Sequence, residues 1–401
     1  MITVSQTPMS VDVTAERLVE ASRAIGPIIC AAADEIEHER RLPAHIVDAL
    51  HEAGLFRMTV PRDLGGLESD ALTITRAVEE LAAADGSAAW CVLIAVAGNA
   101  VLGWLPRGFA EALATDRRLV VAGTLMPTGK AIPEDGGYRI TGRWAFASGI
   151  QHSTWVWATA VVMDGDTPAP GAAGQPATRI CLVPADEAVV QDTWCTAGLR
   201  GTGSHHFVLE DVFVPAERAI DPAPILMGSA NGAWHPYPMY RCPTLLVSGF
   251  AGVQLGLARE ALDEFANLAQ TKTPWQARQP LREQNRIQTA VARAQAQIES
   301  ARAYVHTTLG DLWDSVAATG RSSADQRARA LLAQVHASDN ALDVVGTIAH
   351  LAGSSALYTP NRFDQCLRDV RAAAAHRVVS PPIYEAAGRV FLGLEAGAPF
   401  F

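Results

Sequence analysis

The sequence predicts a mainly α protein with a central β domain: a helical domain over residues 1–118, a β domain over 119–222 and a helical bundle over 223–401. Three observations carry this. Apolar residues recur at helical spacing as far as about residue 118. The period then shortens to that of strands rich in β-branched and aromatic residues, and after about residue 240 the helical period returns in long stripes with short connectors.

In the first region, Ala15, Leu18, Val19, Ala24 and Ile25 begin an apolar stripe, Ile46, Leu50 and Leu55 continue it, and Leu72, Ile74, Val78 and Leu81 follow. Pro61 to Gly66 reads as a turn between helices. The longest apolar stretch, Ala88 to Leu105, contains Gly98, Asn99 and Gly103 and ends at Pro106 without a polybasic flank. It reads as a buried core helix, with no membrane association.

In the second region, residues 119–123, 138–144, 155–162 and 207–209 read as strands, with a hairpin turn at Pro133 to Gly137 and an exposed loop over 164–177. In the third, Leu246, Phe250, Val253, Leu257, Phe265 and Leu268 form one stripe. Ile287, Val291, Ile298 and Leu309 mark a second helix, and Leu331, Leu332, Val335, Leu342, Val345 and Ile348 a third, as in a bundle.

Composition removes several function classes. The 401 residues carry a net charge of −10 and no basic run, which argues against nucleic-acid binding. The six cysteines are scattered without a C-x-x-C pair, so no structural zinc is expected and a reducing cytoplasm is. The polar start shows no signal-peptide pattern. His205 and His206 are adjacent in a strand and point to opposite faces, so they do not read as a metal pair. Gly201-Thr202-Gly203 lacks the strand-to-helix context of dinucleotide binding.

Four motifs fall in order along nearly the whole chain. They are Pro61 to Gly66; Ile140-Thr141-Gly142-Arg143-Trp144-Ala145-Phe146-Ala147-Ser148-Gly149; Gly198 to Ser204 followed by Val212 to Pro215; and Ala352 to Tyr358 followed by Leu367-Arg368-Asp369-Val370 and His376 to Pro381. Together they resemble the acyl-CoA dehydrogenase family. The resemblance implies that family's fold, with a middle β-barrel-like domain and a C-terminal four-helix bundle. It also implies a flavin between the β domain and the bundle, and a homotetramer in which a neighbour completes the flavin site.

One departure redirects the activity. The family's dehydrogenases carry a carboxylate base in the turn after the Arg-Asp pair; here that place holds His376 and Arg377. The pattern resembles the two-component flavin-dependent monooxygenases. That resemblance implies FMN or FAD, reduced by a separate flavin reductase, reacting with O₂ through a C4a-(hydro)peroxyflavin to oxygenate a small aromatic or heterocyclic substrate. Ser148 would then fix flavin N5, and His376 would act as general acid or base, for which an imidazole suits near-neutral pH. The bland alternatives are a serine satisfied by backbone and a buried, structural histidine.

Phe146 belongs to the strand beside the flavin. Gly353, Ser354 and Ser355 are small enough for the backbone to approach a flavin phosphate or ring edge, although His350 stands where the family has a glutamine. Arg278 and Gln288 match family positions near the flavin phosphates and read equally as solvated helix residues. Arg368-Asp369 reads as a structural ion pair or helix-end contact. Phenol hydroxylases of this branch often place a histidine further along the helix from a Trp matching Trp90, whereas this chain has Gly98 and Asn99. Asn99 is a candidate for orienting a polar substrate group, or a core asparagine. The aromatic run from Asn231 to Tyr240, with Trp234, Tyr237 and Tyr240, is either a roof over a substrate pocket or a subunit contact. The competing activity is an acyl-CoA dehydrogenase-like oxidoreductase with a relocated base, for which Glu260 and Asp263 are the available carboxylates.

Overall fold

The computed structural model describes residues 15–171, 174–226, 233–358 and 361–401. Among the described residues six helices come first: α1 (Ala15–Ala31), α2 (Ala33–Glu39), α3 (Ala44–Glu52), α4 (Ala71–Ala84), α5 (Gly86–Asn99) and α6 (Arg107–Ala114). Eight strands follow: β1 (Val121–Glu134), β2 (Gly137–Ala147), β3 (Trp155–Asp164), β4 (Thr167–Pro168), β5 (Thr178–Pro184), β6 (Val189–Gln191), β7 (His205–Pro215) and β8 (Ala219–Ile220). Seven helices complete it: α7 (Ala223–Leu226), α8 (Pro243–Leu246), α9 (Phe250–Thr271), α10 (Asn285–Thr319), α11 (Ala324–Ala352), α12 (Arg362–Ala374) and α13 (Pro382–Phe391).

Helix starts are fixed by local chemistry. Asp70 accepts from the Thr73 amide and Asp85 from the Ala88 amide, which caps α4 and α5. Ser323 and Gln326 form a reciprocal capping box at α11. The long apolar segment is α5, buried on nearly every face, as expected of a core helix. Gly98 lies in it because a Cβ there would stand 2.1 Å from the Val121 carbonyl oxygen, where α5 crosses β1.

The strands form one mixed sheet in the order β6-β7-β2-β1-β3-β5-β8, with β4 paired to β3. Among the described residues only the β1–β3 pairing is parallel. The β1–β2 hairpin turns at Asp135-Gly136, with φ of 83° at Gly136, where the sequence predicts it. β5 was not among the expected strands; Thr178 to Pro184 follows a loop rich in Pro and Gly that masks its short apolar run. Inside the sheet, the Trp144 indole stacks on Phe207 with ring centroids 5.2 Å apart and donates to the Thr159 carbonyl at 2.7 Å.

The β domain has its own core, whereas the first and last helical regions share one. Gly252 and Gly256 of α9 make that sharing possible. A Cβ at either would stand 2.4 Å from a carbonyl oxygen of α4, at Thr75 and Glu79 respectively. The C-terminal bundle therefore packs backbone-close on the N-terminal helices.

Candidate active site

Three domains meet at the Trp90 indole on α5. Its Nε1–H donates to Ser148 Oγ at 3.1 Å. Its ring edge meets Phe250, with centroids 5.4 Å apart, and His376, at 5.5 Å. Trp90 is thus the point where the end of β2 and the α9/α12 corner meet the N-terminal helices.

The β2 side is shaped by a bulge. Between Trp144 and Ala147 the pairing with β7 gains one residue on β2, and Phe146 sits at φ 65°. A left-handed φ is unusual for a bulky residue and marks strain of the kind found at functional sites. The bulge turns the Phe146 ring outward, 57% exposed, and brings the buried Ser148 inward.

Among the described residues no backbone group satisfies the Ser148 hydroxyl. It bonds Trp90 and, at 2.7 Å, Ser204 Oγ; Ser204 bonds Thr202 Oγ1 at 2.7 Å, and Thr202 donates to the Leu199 carbonyl at 2.8 Å. Ser204 and Thr202 are buried and belong to the Gly198–Ser204 motif. The motif was legible in the sequence; the hydroxyl chain is a consequence of folding it against β2.

The same motif is bolted to the bundle. Gly198 lets α12 approach, since a Cβ there would stand 2.1 Å from the Arg368 carbonyl oxygen. The Leu199 amide donates to Asp369 at 2.6 Å. Arg368 and Asp369 do not pair with each other, contrary to one reading of the sequence. Arg368 reaches Glu37 and Asp364, while Asp369 is buried with Oδ2 unpartnered among the described residues. Burial, and then the charge of Asp85, push the Asp369 carboxyl up to about 7.

His376 follows α12 and caps the turn Arg377–Val379. Its Nδ1 accepts from the Val378 amide at 3.4 Å, which leaves the ring hydrogen on Nε2. The ring stacks on Phe250 with centroids 4.4 Å apart at 21°. Burial alone lowers its pKa to about 4, so the imidazole is neutral at physiological pH. Nε2 has no hydrogen-bond partner among the described residues. Arg377 is exposed and takes no part.

Several expected site residues lie elsewhere. Asn99 is wholly buried and fully used: Nδ2 donates to the Phe56 and Leu119 carbonyls, and Oδ1 accepts from the Val121 amide. It has no group left for a substrate. Tyr237 and Tyr240 are core residues, their hydroxyls donating to the Ser69 and Thr59 carbonyls. Trp234 donates to the Leu102 carbonyl at 3.0 Å, and Arg107 covers its ring. The aromatic run is therefore a clamp between the bundle and the N-terminal helices within one chain, and not a roof. Its first residues, Asn231 and Gly232, lie outside the described residues.

Gly353 ends α11 at φ 59° and Lys272 pins this turn, with Nζ 2.7 Å from Ser355 Oγ, while Ser354 is exposed. Arg278 and Gln288 are also exposed, Gln288 donating to the Arg282 carbonyl. Neither alternative carboxylate offers a base: Glu260 pairs with Arg362 at 3.0 Å, and Asp263 is exposed.

The fold and this cleft place the chain in a known class. Residues 20–105 match the acyl-CoA dehydrogenase N-terminal domain and residues 248–381 its C-terminal domain. The chain belongs to the acyl-CoA dehydrogenase family, in its flavin-dependent monooxygenase branch. Among its relatives, indole-3-acetate monooxygenase of Pseudomonas putida is 28% identical over 360 residues, covering 90% of this chain and 89% of that protein. HsaA of Rhodococcus jostii, the oxygenase subunit of a flavin-dependent monooxygenase, is 27% identical over 365 residues, 89% of this chain and 93% of that one. XiaF from Streptomyces sp., solved in complex with FADH2 and glycerol, superposes with a TM-score of 0.88 at 27% identity, covering 96% of this chain and 97% of that chain.

Proposed function

We propose that this chain is the oxygenase component of a two-component flavin-dependent monooxygenase. It takes reduced FAD or FMN from a separate reductase and oxygenates a small aromatic or heterocyclic substrate. The observation that carries the reading is the pairing of a neutral His376 with the Ser148–Trp90 contact, at the place where the family's dehydrogenases keep a carboxylate. FADH2 in XiaF and the indole substrate named for the Pseudomonas relative support the same assignment.

The residues fit a flavin. Ser148 keeps one unused lone pair, the Phe146 ring is exposed beside it, and the Gly353 turn leaves backbone open at the end of α11. Ser148 would hold the ring at N5, with Phe146 against it and Gly353 to Ser355 at the phosphate end. Reduced flavin supplies the two electrons that split O₂, one oxygen atom going to the substrate and the other leaving as water. Phe250, Trp90 and the buried residues behind them exclude water, which limits wasteful release of H₂O₂. His376, neutral and with a free Nε2–H, orients the substrate by donating a hydrogen bond and passes protons between reacting oxygen and solvent.

A homotetramer belongs to the same proposal. Arg278 and Gln288 are too exposed to act within one chain; Trp275, three residues before Arg278, is 90% exposed, and Leu357 and Tyr358, just after the Ser355 that Lys272 holds at 2.7 Å, are 79% and 72% exposed. A neighbouring subunit covering this end of the bundle accounts for both. Sedimentation of the purified protein tests it, and a monomer would remove Arg278 and Gln288 from the flavin site.

The activity test supplies the chain with a flavin reductase, NADH and isotopically labelled O₂, with a panel of indoles and phenols. Label in a product that requires both proteins supports the reading. Consumption of NADH yielding only H₂O₂ across the panel, together with bleaching of bound oxidised flavin by an acyl-CoA, replaces it with the dehydrogenase.

A further inference from the structure

Counting hydrogens along the Ser148 chain fixes its direction. The Leu199 carbonyl can only accept; beside the Trp194 Nε1–H at 2.9 Å it takes the one hydroxyl hydrogen of Thr202 at 2.8 Å. Ser204 must then donate to Thr202, and Ser148 to Ser204, each across 2.7 Å. The Trp90 N–H takes one Ser148 lone pair. Ser148 is left with a single free lone pair and no hydrogen to give.

We infer that the buried relay Ser148–Ser204–Thr202–Leu199 selects the redox state of the flavin, making Ser148 an acceptor that fits the N5–H of reduced flavin and rejects the bare N5 of oxidised flavin. The inference rests on the preceding reading of this cleft as a reduced-flavin site. Reduced flavin carries a hydrogen on N5 that needs an acceptor. Oxidised flavin carries a lone pair there, and meeting the Ser148 lone pair leaves two acceptors facing each other without a hydrogen. A buried acceptor without a donor is costly. A lone serine would rotate its hydroxyl to suit either form; this one is held by partners that are themselves committed. The Leu199 end is held in turn, because its amide is anchored by Asp369 from α12 and its residue sits at φ 50°.

Ser204 and Thr202 are therefore positioning residues, acting through Ser148. They set which form binds. Removing either hydroxyl frees a hydrogen: in Ser204→Ala the Ser148 hydroxyl can turn toward N5, and in Thr202→Val Ser204 can turn back toward Ser148 and release it.

The test is anaerobic titration of the full-length protein with photoreduced FAD and, separately, aerobic titration with oxidised FAD, repeated with FMN. The same ratio of affinities is read independently as the midpoint potential of bound flavin. Wild type should bind the reduced form more tightly. Ser204→Ala and Thr202→Val should narrow that preference by about tenfold, chiefly by tightening oxidised flavin, and so lower the bound midpoint potential toward that of free flavin. Thr202→Ser keeps the hydroxyl and should keep the preference. Should Ser204→Ala fail to fold, the Thr202→Val and Thr202→Ser pair decides alone. A wild-type preference left intact by folded Ser204→Ala and Thr202→Val overturns the relay but leaves the oxygenase reading standing. Failure of wild type to bind reduced flavin at all overturns both.

Discussion

Ser148 and His376 both touch the Trp90 indole, one through its N–H and the other through its ring edge, yet their surroundings differ in kind. Ser148 ends a chain of hydroxyls in which each hydrogen is assigned. His376 lies on the Phe250 ring with one weak contact at Nδ1 and a free Nε2. The first arrangement suits a group that must present one fixed face to a cofactor. The second suits a group that must meet a substrate and exchange protons, since nothing among the described residues competes for Nε2. The β domain supplies the fixed contact and the bundle supplies the adaptable one, with Trp90 of the N-terminal helices between them.

The sharpest way to break this contrast is His376→Ala. Coupled product formation should fall by about 100-fold, as expected when a positioned proton-transfer group is lost, while anaerobic binding of reduced flavin stays unchanged. Loss of reduced-flavin binding in that variant would move His376 to the cofactor side. Asn99→Ala tests the boundary of the cleft. It removes three buried backbone contacts and should cost about 3 kcal/mol in urea unfolding without altering KM for the substrate. A raised KM with normal stability would return Asn99 to the site.

Ser148→Ala sharpens the other side. Reduced flavin should bind about fivefold more weakly, the worth of one hydrogen bond, and more of the O₂ consumed should appear as H₂O₂. Unchanged affinity and unchanged H₂O₂ yield would deny Ser148 its contact.

The smallest effect separates the two sides by pH. Burial lowers His376 to about 4 from an ordinary value of 6.5, so the unfolded chain takes up a proton that the folded chain refuses. Its contribution to stability is complete above the ordinary histidine value and is lost as pH falls toward 4. Asp369 runs the other way. Raised to about 7, its contribution is present in acid and is lost as pH rises through 7. Replacing His376 with Leu should therefore make unfolding less acid-sensitive by about 2 kcal/mol between neutral pH and about pH 5. Asp369→Asn should instead flatten the upper side of the profile. An acid limb unchanged in His376→Leu would mean that the imidazole is hydrated and not buried against Phe250.

Much of this was legible before folding. Helical and strand periods placed the three regions, and Asp135-Gly136 placed the hairpin. The order of four motifs gave the family, with Ser148 and His376 among its landmarks. The aromatic run was misread because composition cannot tell a pocket roof from a clamp. Tyr237 and Tyr240 bury their rings in the shared core and need carbonyl partners for their hydroxyls, which the packed segment between α3 and α4 provides at Ser69 and Thr59. Asn99 was misread for the same reason: a polar side chain in an apolar helix can serve either a ligand or the backbone, and the approach of β1 at Gly98 decides for the backbone.

Local and periodic features follow from residue order alone: element type, caps, turns, net charge and the presence of an imidazole where a carboxylate would serve a dehydrogenase. Which groups share hydrogens follows from packing. Ser148, Ser204, Thr202 and Trp90 are separated by up to 114 positions along the chain, and the direction of their hydrogen bonds depends on the Leu199 carbonyl, whose role as acceptor the Gly198–Ser204 motif does not reveal. A hydroxyl has one hydrogen to give, so its role is fixed by every partner in reach, and partners are set by packing.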